Sequence, residues 1–278
     1  MYRHLFFGSS VALMISFRML RHAAATLLSF ALTGVVLGTI SPGSSSAEPY
    51  LAGYAGAAFT ASKDLRTELE LDGVPLVNGR AHDLTFDTSP VFGMKAGYVF
   101  GADLLGGNTG VELDVYHFEP DVSRQTVRFT GLFAGVPVDM RTELQSADID
   151  VTAVTLNAIY RFRLAADAAH PQGRLQPYVG IGAGAFIARL ATTTSPFDVN
   201  RDIADTQVRA GVQALAGARW FITQHLALFA EYKFVQTDTF SFRFKQAGTI
   251  SGVPFTETAR DRADITSHLF YGGLGFHW

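Results

Sequence analysis

The sequence predicts an all-β fold, an eight-stranded antiparallel up-and-down transmembrane β-barrel with long extracellular loops. Three observations predict it. Eight segments alternate apolar and polar residues with a period of two. Each runs for about the 9 to 11 residues that a tilted strand needs to cross a bilayer. The joins between them alternate short and long, as in outer-membrane barrels, where turns on the periplasmic side are short and outer loops long.

Composition agrees. Charged residues make up 17% of the chain, below the roughly 25% usual for soluble domains. A net charge of -3 argues against a nucleic-acid partner, which needs a basic face. The absence of Cys removes disulfide frameworks, thiolate metal sites and an N-terminal lipid anchor.

Residues 1–47 read as a secretory leader. Arg18, Arg21 and His22 precede the uncharged run Ala23 to Ile40, and small residues at Ser45 and Ala47 favour cleavage after Ala47. An N-terminal membrane anchor is the alternative, and Met14 or Met19 is the expected true start. Residues 48–278 form the barrel domain.

The first segment, from Tyr50, alternates too weakly for its faces to be assigned. The second sets Phe92, Met94, Ala96, Tyr98 and Phe100 against Gly93, Lys95 and Gly97. The third sets Val111, Leu113 and Val115 against Glu112 and Asp114. The fourth sets Val154, Leu156, Ala158, Tyr160 and Phe162 against Thr155, Asn157 and Arg161. In the fifth, Val179, Ile181, Ala183, Ala185 and Ile187 oppose Tyr178, Gly180, Gly182 and Gly184. In the sixth, Val212, Ala214, Ala216, Ala218 and Trp220 oppose Gln213, Gly217 and Arg219. The seventh sets Leu226, Leu228, Ala230, Tyr232 and Phe234 against Glu231 and Lys233. The eighth, SHLFYGGLGFHW, sets Phe270, Gly272, Leu274, Phe276 and Trp278 against Leu269, Tyr271, Gly273, Gly275 and His277.

A soluble sandwich would alternate in the same way. Glycines on the polar side argue for a barrel, because glycine facing water has no packing task, whereas inside a narrow cylinder it makes room for long neighbours. The polar faces therefore predict an interior network of Lys95, Glu112, Asp114, Arg161, Arg219, Glu231 and Lys233, which plugs a lumen that eight strands leave barely wide enough for side chains. Tyr160, Phe162, Trp220, Phe221, Phe276 and Trp278 crowd strand ends, where amphipathic rings suit the headgroup boundary.

Three long joins share a tripeptide, GVP, at Gly73, Gly135 and Gly252. Glycine and proline punctuate turns, so the expectation is three long hairpins that continue the barrel strands above the membrane.

The segments QPYVGIGAGAF, GVQALAGARWFITQHLALFAEYKF and HLFYGGLGFHW resemble the small outer-membrane β-barrel family that includes opacity-type surface proteins and the OmpA membrane domain. The resemblance spans most of the mature chain and is strongest from Leu175 to Tyr232 and at the C-terminus. It implies that Phe270, Leu274, Phe276 and Trp278 form the signal read by the barrel-assembly machinery, although the family usually ends in Phe rather than Trp. It also implies a structural, adhesive or surface-protective role, which the fold alone does not specify.

The expected partners are outer-membrane lipid and lipopolysaccharide around the wall, the barrel-assembly machinery, and a host or cell-surface ligand at the loops, with the protein a monomer. No cofactor and no metal is expected. Asp198, Asn200 and Asp202 suggest a calcium loop, but Ile203 and Arg209 stand where an EF-hand needs Gly and Glu. GIGAGA from Gly180 lacks the GxGxxG spacing of a phosphate loop. Ser267, His268 and Asp264 would sit near the outer rim, but neighbours on a strand point to opposite faces, which separates hydroxyl from base, so no enzyme is expected. The alternatives to a surface-interaction barrel are a small porin and, behind it, a lipid-modifying enzyme.

Overall fold

The computed structural model describes residues 48–166, 170, 173–192, 203–250 and 253–278. The leader expected over 1–47 and the string from Asp198 to Asp202 lie outside the described residues. Among the described residues no helix is long and apolar enough to cross a membrane.

Strands β1 (Glu48–Thr60), β4 (Ser89–Leu104), β5 (Gly107–Phe118), β8 (Ala147–Phe162), β9 (Leu175–Thr192), β10 (Ile203–Phe221), β11 (Leu226–Thr237) and β14 (Thr266–His277) close into one barrel. Every neighbouring pair is antiparallel, and β1 closes the ring by pairing with both β14 and β4. Closure leaves no unpaired edge, which a bilayer interior requires because lipid offers backbone groups no partner.

The alternation decides which side chains meet lipid. Leu156, Val179, Ile181, Val212, Leu228, Leu274 and Phe276 are exposed on the outside, while Lys95, Asp114, Arg161, Glu231 and Lys233 are buried within. Trp220, Phe276, Trp278, Phe162 and Phe100 stand outward near the short turns. Phe221 departs from the expected position: it is buried and its ring lies 4.8 Å from that of His277. The reason is parity, since Phe221 shares a face with Arg219 rather than with Trp220.

The turn between β4 and β5 is short. The strands run on to Leu104 and from Gly107, and Leu105 (φ 52°) with Gly106 (φ 82°) form a two-residue turn. Two positive φ values in succession give the type I′ geometry that matches strand twist. The same chemistry appears at Asp72 (φ 48°) and Gly73 (φ 79°) and at Ala134 (φ 49°) and Gly135 (φ 80°), which explains the glycine of the GVP tripeptide.

Outer hairpins are formed by β2 (Lys63–Leu71) with β3 (Val74–Leu84), β6 (Gln125–Phe133) with β7 (Val136–Leu144), and β12 (Phe240–Ile250) with β13 (Val253–Ala263), and the turns at Asp72 and Ala134 cap the first two. The hairpins do not stand apart as three projections. They pair side by side into one six-stranded sheet, ordered β12-β13-β2-β3-β6-β7. The turns are sewn to neighbours: Asp72 donates its N–H to the Thr256 carbonyl at 2.8 Å and accepts from the Thr256 N–H at 2.7 Å, while the Ala134 N–H reaches the Leu76 carbonyl at 2.7 Å. At the base, Lys63 bonds Asp264 at 2.7 Å, and the Arg243 N–H bonds Asp205 at 2.9 Å, which ties β12 to β10.

Candidate functional site

The lumen is the first site to build. Alternation on β4, β5, β10 and β11 turns Lys95, Glu112, Asp114, Arg219, Glu231 and Lys233 inward, and closure brings them together. Lys95 Nζ lies 3.3 Å from Glu112 and 2.5 Å from Glu231, Arg219 lies 3.7 Å from Glu112, and Lys233 pairs with Asp114. Arg161 sits apart from this cluster. Its partner is Glu48, at 2.7 Å, together with the Gln176 side-chain oxygen at 3.0 Å. With Glu48 included, the four interior cations meet four carboxylates, and Glu48 also takes a bond from His277 at 2.5 Å. A buried charge without a partner would cost several kcal/mol, so pairing is the condition for these residues to sit at membrane depth.

Tyrosines complete the network, and sequence reasoning gave them no role in it. Tyr50 donates to Glu112 at 2.6 Å, Tyr54 to Asp114 at 2.8 Å and Tyr178 to Glu231 at 2.7 Å, and Tyr271 also donates to Glu231. Asn157 donates to Glu112 at 2.9 Å, and Gln213 bridges Asn157 at 2.6 Å and Tyr116 at 2.9 Å. The Arg219 guanidinium lies 4.0 Å from the Tyr50 ring centre and 4.8 Å from that of Tyr178. Glycine makes room for these rings: a Cβ at Gly97 would collide with the Tyr50 ring, and one at Gly217 with that of Tyr178.

The result is a filled lumen. The void among Tyr50, Lys95, Tyr178, Arg219 and Phe229 has a volume of only about 10 Å³, room for one water at most. Above the polar network, Phe118, Val151, Phe186, Val235 and Phe240 are fully buried and add an apolar layer.

The outer sheet is the second site, and its two faces differ. On the solvent face, Arg262, Arg66 and Arg80 lie directly opposite one another across β13, β2 and β3. Like charges in register repel. Two are offset by acids: Glu68 holds Arg262 in a two-bond fork at 2.9 and 3.3 Å, and Asp64 holds Arg80 at 3.3 Å. The Asp64 carboxyl is pulled below its usual range, its burial outweighed by the Asp83 N–H, His82 and Arg80. Arg66 is exposed. The other face is apolar, with Leu69, Ala81, Phe242, Phe244 and Phe255 buried.

Ser267 and His268 point apart. Ser267 is buried and bonds Thr60 at 2.8 Å, whereas His268 bonds the Tyr232 hydroxyl at 2.8 Å. Among the described residues, His117, Glu119 and Asp150 have the spacing of a metal site, with ligand atoms within 4.8 Å of one another. Each already has a protein partner: His117 bonds Thr152 at 3.0 Å and Glu119 at 3.2 Å, and Asp150 pairs with Arg189 at 3.3 Å. On the closing strand, Phe270, Leu274, Phe276 and Trp278 all stand outward and about half exposed.

The model of the outer membrane protein beta-barrel domain family matches residues 29–277. Solved structures of similar fold include the outer membrane protein OprG from Pseudomonas aeruginosa, 18% identical over 85% of this chain and 98% of that one, with a TM-score of 0.44. Neisserial surface protein A is 11% identical over 82% and 96%, with a TM-score of 0.37. Ail, the attachment invasion locus protein of Yersinia pestis, solved in complex with the heparin analogue sucrose octasulfate, is 12% identical over 83% and 99%, with a TM-score of 0.33. No curated protein matches the chain by sequence.

Proposed function

The chain belongs to the outer membrane protein β-barrel domain family and resides in the outer membrane, and from that premise we propose that it is a surface-interaction protein. In this reading the filled barrel is an anchor, and the outer sheet is the part that meets a partner. The observation that carries it is the row Arg262, Arg66 and Arg80 on the solvent face. Guanidinium groups in register repel one another, and with Arg262 and Arg80 already held by Glu68 and Asp64 it is the exposed Arg66, at the centre of the row, that can donate two parallel hydrogen bonds to an anionic partner. The partner class is therefore an anionic surface polymer, rich in carboxylate, sulfate or phosphate.

The test uses whole cells displaying the protein and a surface coated with dextran sulfate. Cells should be retained, less so as salt rises, and the triple substitution R66S/R80S/R262S should release them while the barrel still shows heat-dependent gel mobility. Equal retention of the triple variant would overturn the reading. The small-porin alternative is disfavoured by the 10 Å³ void, and planar-bilayer recording should show no large steady openings.

Two further roles belong to the same reading. Phe270, Leu274, Phe276 and Trp278 serve as the segment recognised by the barrel-assembly machinery, and residues 1–47 as a leader removed before assembly, leaving a monomeric domain over 48–278.

A further inference from the structure

The outer sheet curls around a space of its own. Its two edges return to neighbouring parts of the barrel: β12 is tied to β10 by the Arg243 N–H and Asp205 at 2.9 Å, and β7 runs through two residues into β8. Six strands held at both edges by the arc β8-β9-β10 must bend, and their apolar face encloses a chamber of about 640 Å³. Phe129 on β6 and Phe242 and Phe244 on β12 stand on its walls. Its floor is Ile149 and Leu190, at the outer ends of β8 and β9, which rest on the buried layer of Phe118, Phe186 and Phe240. That layer closes the way into the barrel, so the chamber is a site rather than a passage. Phe133 and Met140, each 52% exposed, line its outer part, where a ligand can enter from water.

The lining is mostly apolar, and the three carboxylates in it are engaged by the protein itself. Asp261 takes a bond from the Thr67 hydroxyl at 2.9 Å, Glu143 pairs with Arg124 at 3.4 Å, and Glu257, 4% exposed, also has a partner within the fold. Among the described lining residues there is no Arg, Lys or His, so an anion would meet only groups of its own sign. A cation would meet carboxylates that are already engaged. Either ion would shed its hydration against phenylalanine with little in return. A neutral apolar molecule has no such hydration to lose, and it gains from the apolar surface that it and the walls together remove from water. The volume falls within the range of sites for drug-sized ligands.

We propose that the chamber binds a neutral, largely hydrocarbon molecule of drug size, captured from the water outside the cell and held against Phe129, Phe242 and Phe244. The arginine row lies on the opposite face of the sheet, so this site stands or falls independently of the surface-polymer reading. An acyl chain from the bilayer has the same apolar chemistry, and the experiment separates the two sources.

Among the described residues the methionines are Met94, which shares the lipid-facing side of β4 with Phe92 and Ala96, and Met140 in the chamber. The full barrel in phosphatidylcholine nanodiscs, carbon-13-labelled at the methionine methyls, therefore carries one NMR reporter for each environment. Added phenanthrene should shift the Met140 signal saturably, at concentrations about tenfold below those needed for phenanthrene-9-carboxylate or 9-(aminomethyl)phenanthrene. Met94 reports what dissolves in the lipid. A259W, which fills the chamber, should abolish the Met140 shift and leave that of Met94, and spin-labelled phosphatidylcholine should broaden Met94 and spare Met140. A Met140 signal that stays still while Met94 moves, a charged analogue bound as tightly as phenanthrene, or an unaltered Met140 shift in A259W would each overturn the proposal. Broadening of Met140 by the spin-labelled lipid would overturn it too, by giving the chamber to an acyl chain. If A259W fails to assemble, as judged by gel mobility, the three-probe and spin-label comparisons on the unaltered protein decide by themselves.

Discussion

Lys95 on β4 and Glu231 on β11 meet at 2.5 Å across the barrel, joining strands separated around the wall by β1 and β14. Each has further partners, Glu112 for the lysine and Tyr178 and Tyr271 for the carboxylate, so the pair is the centre of the interior network. Replacing Lys95 by Met removes the cation from Glu231 and leaves Glu112 with Arg219 alone, and is expected to cost about 3–5 kcal/mol. Glu231→Gln keeps an acceptor for the tyrosines and leaves Lys95 with Glu112, so its effect is smaller. The temperature at which the folded gel band disappears should fall most for K95M, and a larger fall for E231Q would contradict this account.

Gly97 bears the Tyr50 ring, and its position is a test of how closely the lumen is packed. Alanine there drives a methyl group into a ring already bonded to Glu112, and overpacking of this kind costs about 1–3 kcal/mol. G97A should lower the unfolding temperature and partly recover with Y50L in the same chain. Wild-type stability for G97A would mean that the ring is not packed there.

Phe276 stands outward on the closing strand, 53% exposed. If this face is what the assembly machinery reads, F276D should greatly reduce the amount of protein in the outer membrane while purified, unfolded protein still refolds in detergent. Loss of refolding in the purified system as well would assign the residue to barrel stability instead.

Asp261 carries a pH signature. Burial pushes its carboxyl from 3.8 up to about 6, against the pull of the Thr67 hydroxyl. The folded chain therefore holds this proton more tightly than the unfolded chain does. The group's contribution to stability is most favourable below its ordinary pKa and declines as pH rises through about 6. A carbon-detected NMR titration should place its midpoint near 6, and D261N should remove the decline and make the sheet more heat-resistant at neutral pH. A midpoint in the ordinary aspartate range would refute the assignment.

How much of this was legible follows from what a period of two can carry. Alternation is a local property, so Lys95, Glu112, Arg161 and Lys233 could be assigned to one face of their strands, and Val179, Trp220 and Phe276 to the other, from the residues alone. The first strand was illegible for a physical reason: its inward Tyr50, Ala52 and Tyr54 carry no charge, and of the outward Leu51, Gly53 and Ala55 two are small, so little contrast marks its sides. Of the tyrosines that satisfy the carboxylates, Tyr178 and Tyr271 fell on the polar faces of their strands, whereas Tyr50 and Tyr54 were hidden by this ambiguity, since an aromatic residue suits lipid boundary and lumen alike.

The GVP turns show the same division. Glycine at each tip signals a positive φ, and from that the hairpins followed. Their union into one sheet did not, because Arg66 lies opposite Arg262, far along the chain, only when the closed barrel carries β2 and β13 to the same part of its rim. By itself, then, the sequence determined the strands, their two faces and the alternation of short and long connections, all set within a few residues. Only the tertiary structure decided which cation meets which carboxylate, that a sheet with one charged and one apolar face stands above the barrel, and that this sheet encloses a chamber, because those depend on closure bringing distant strands into register.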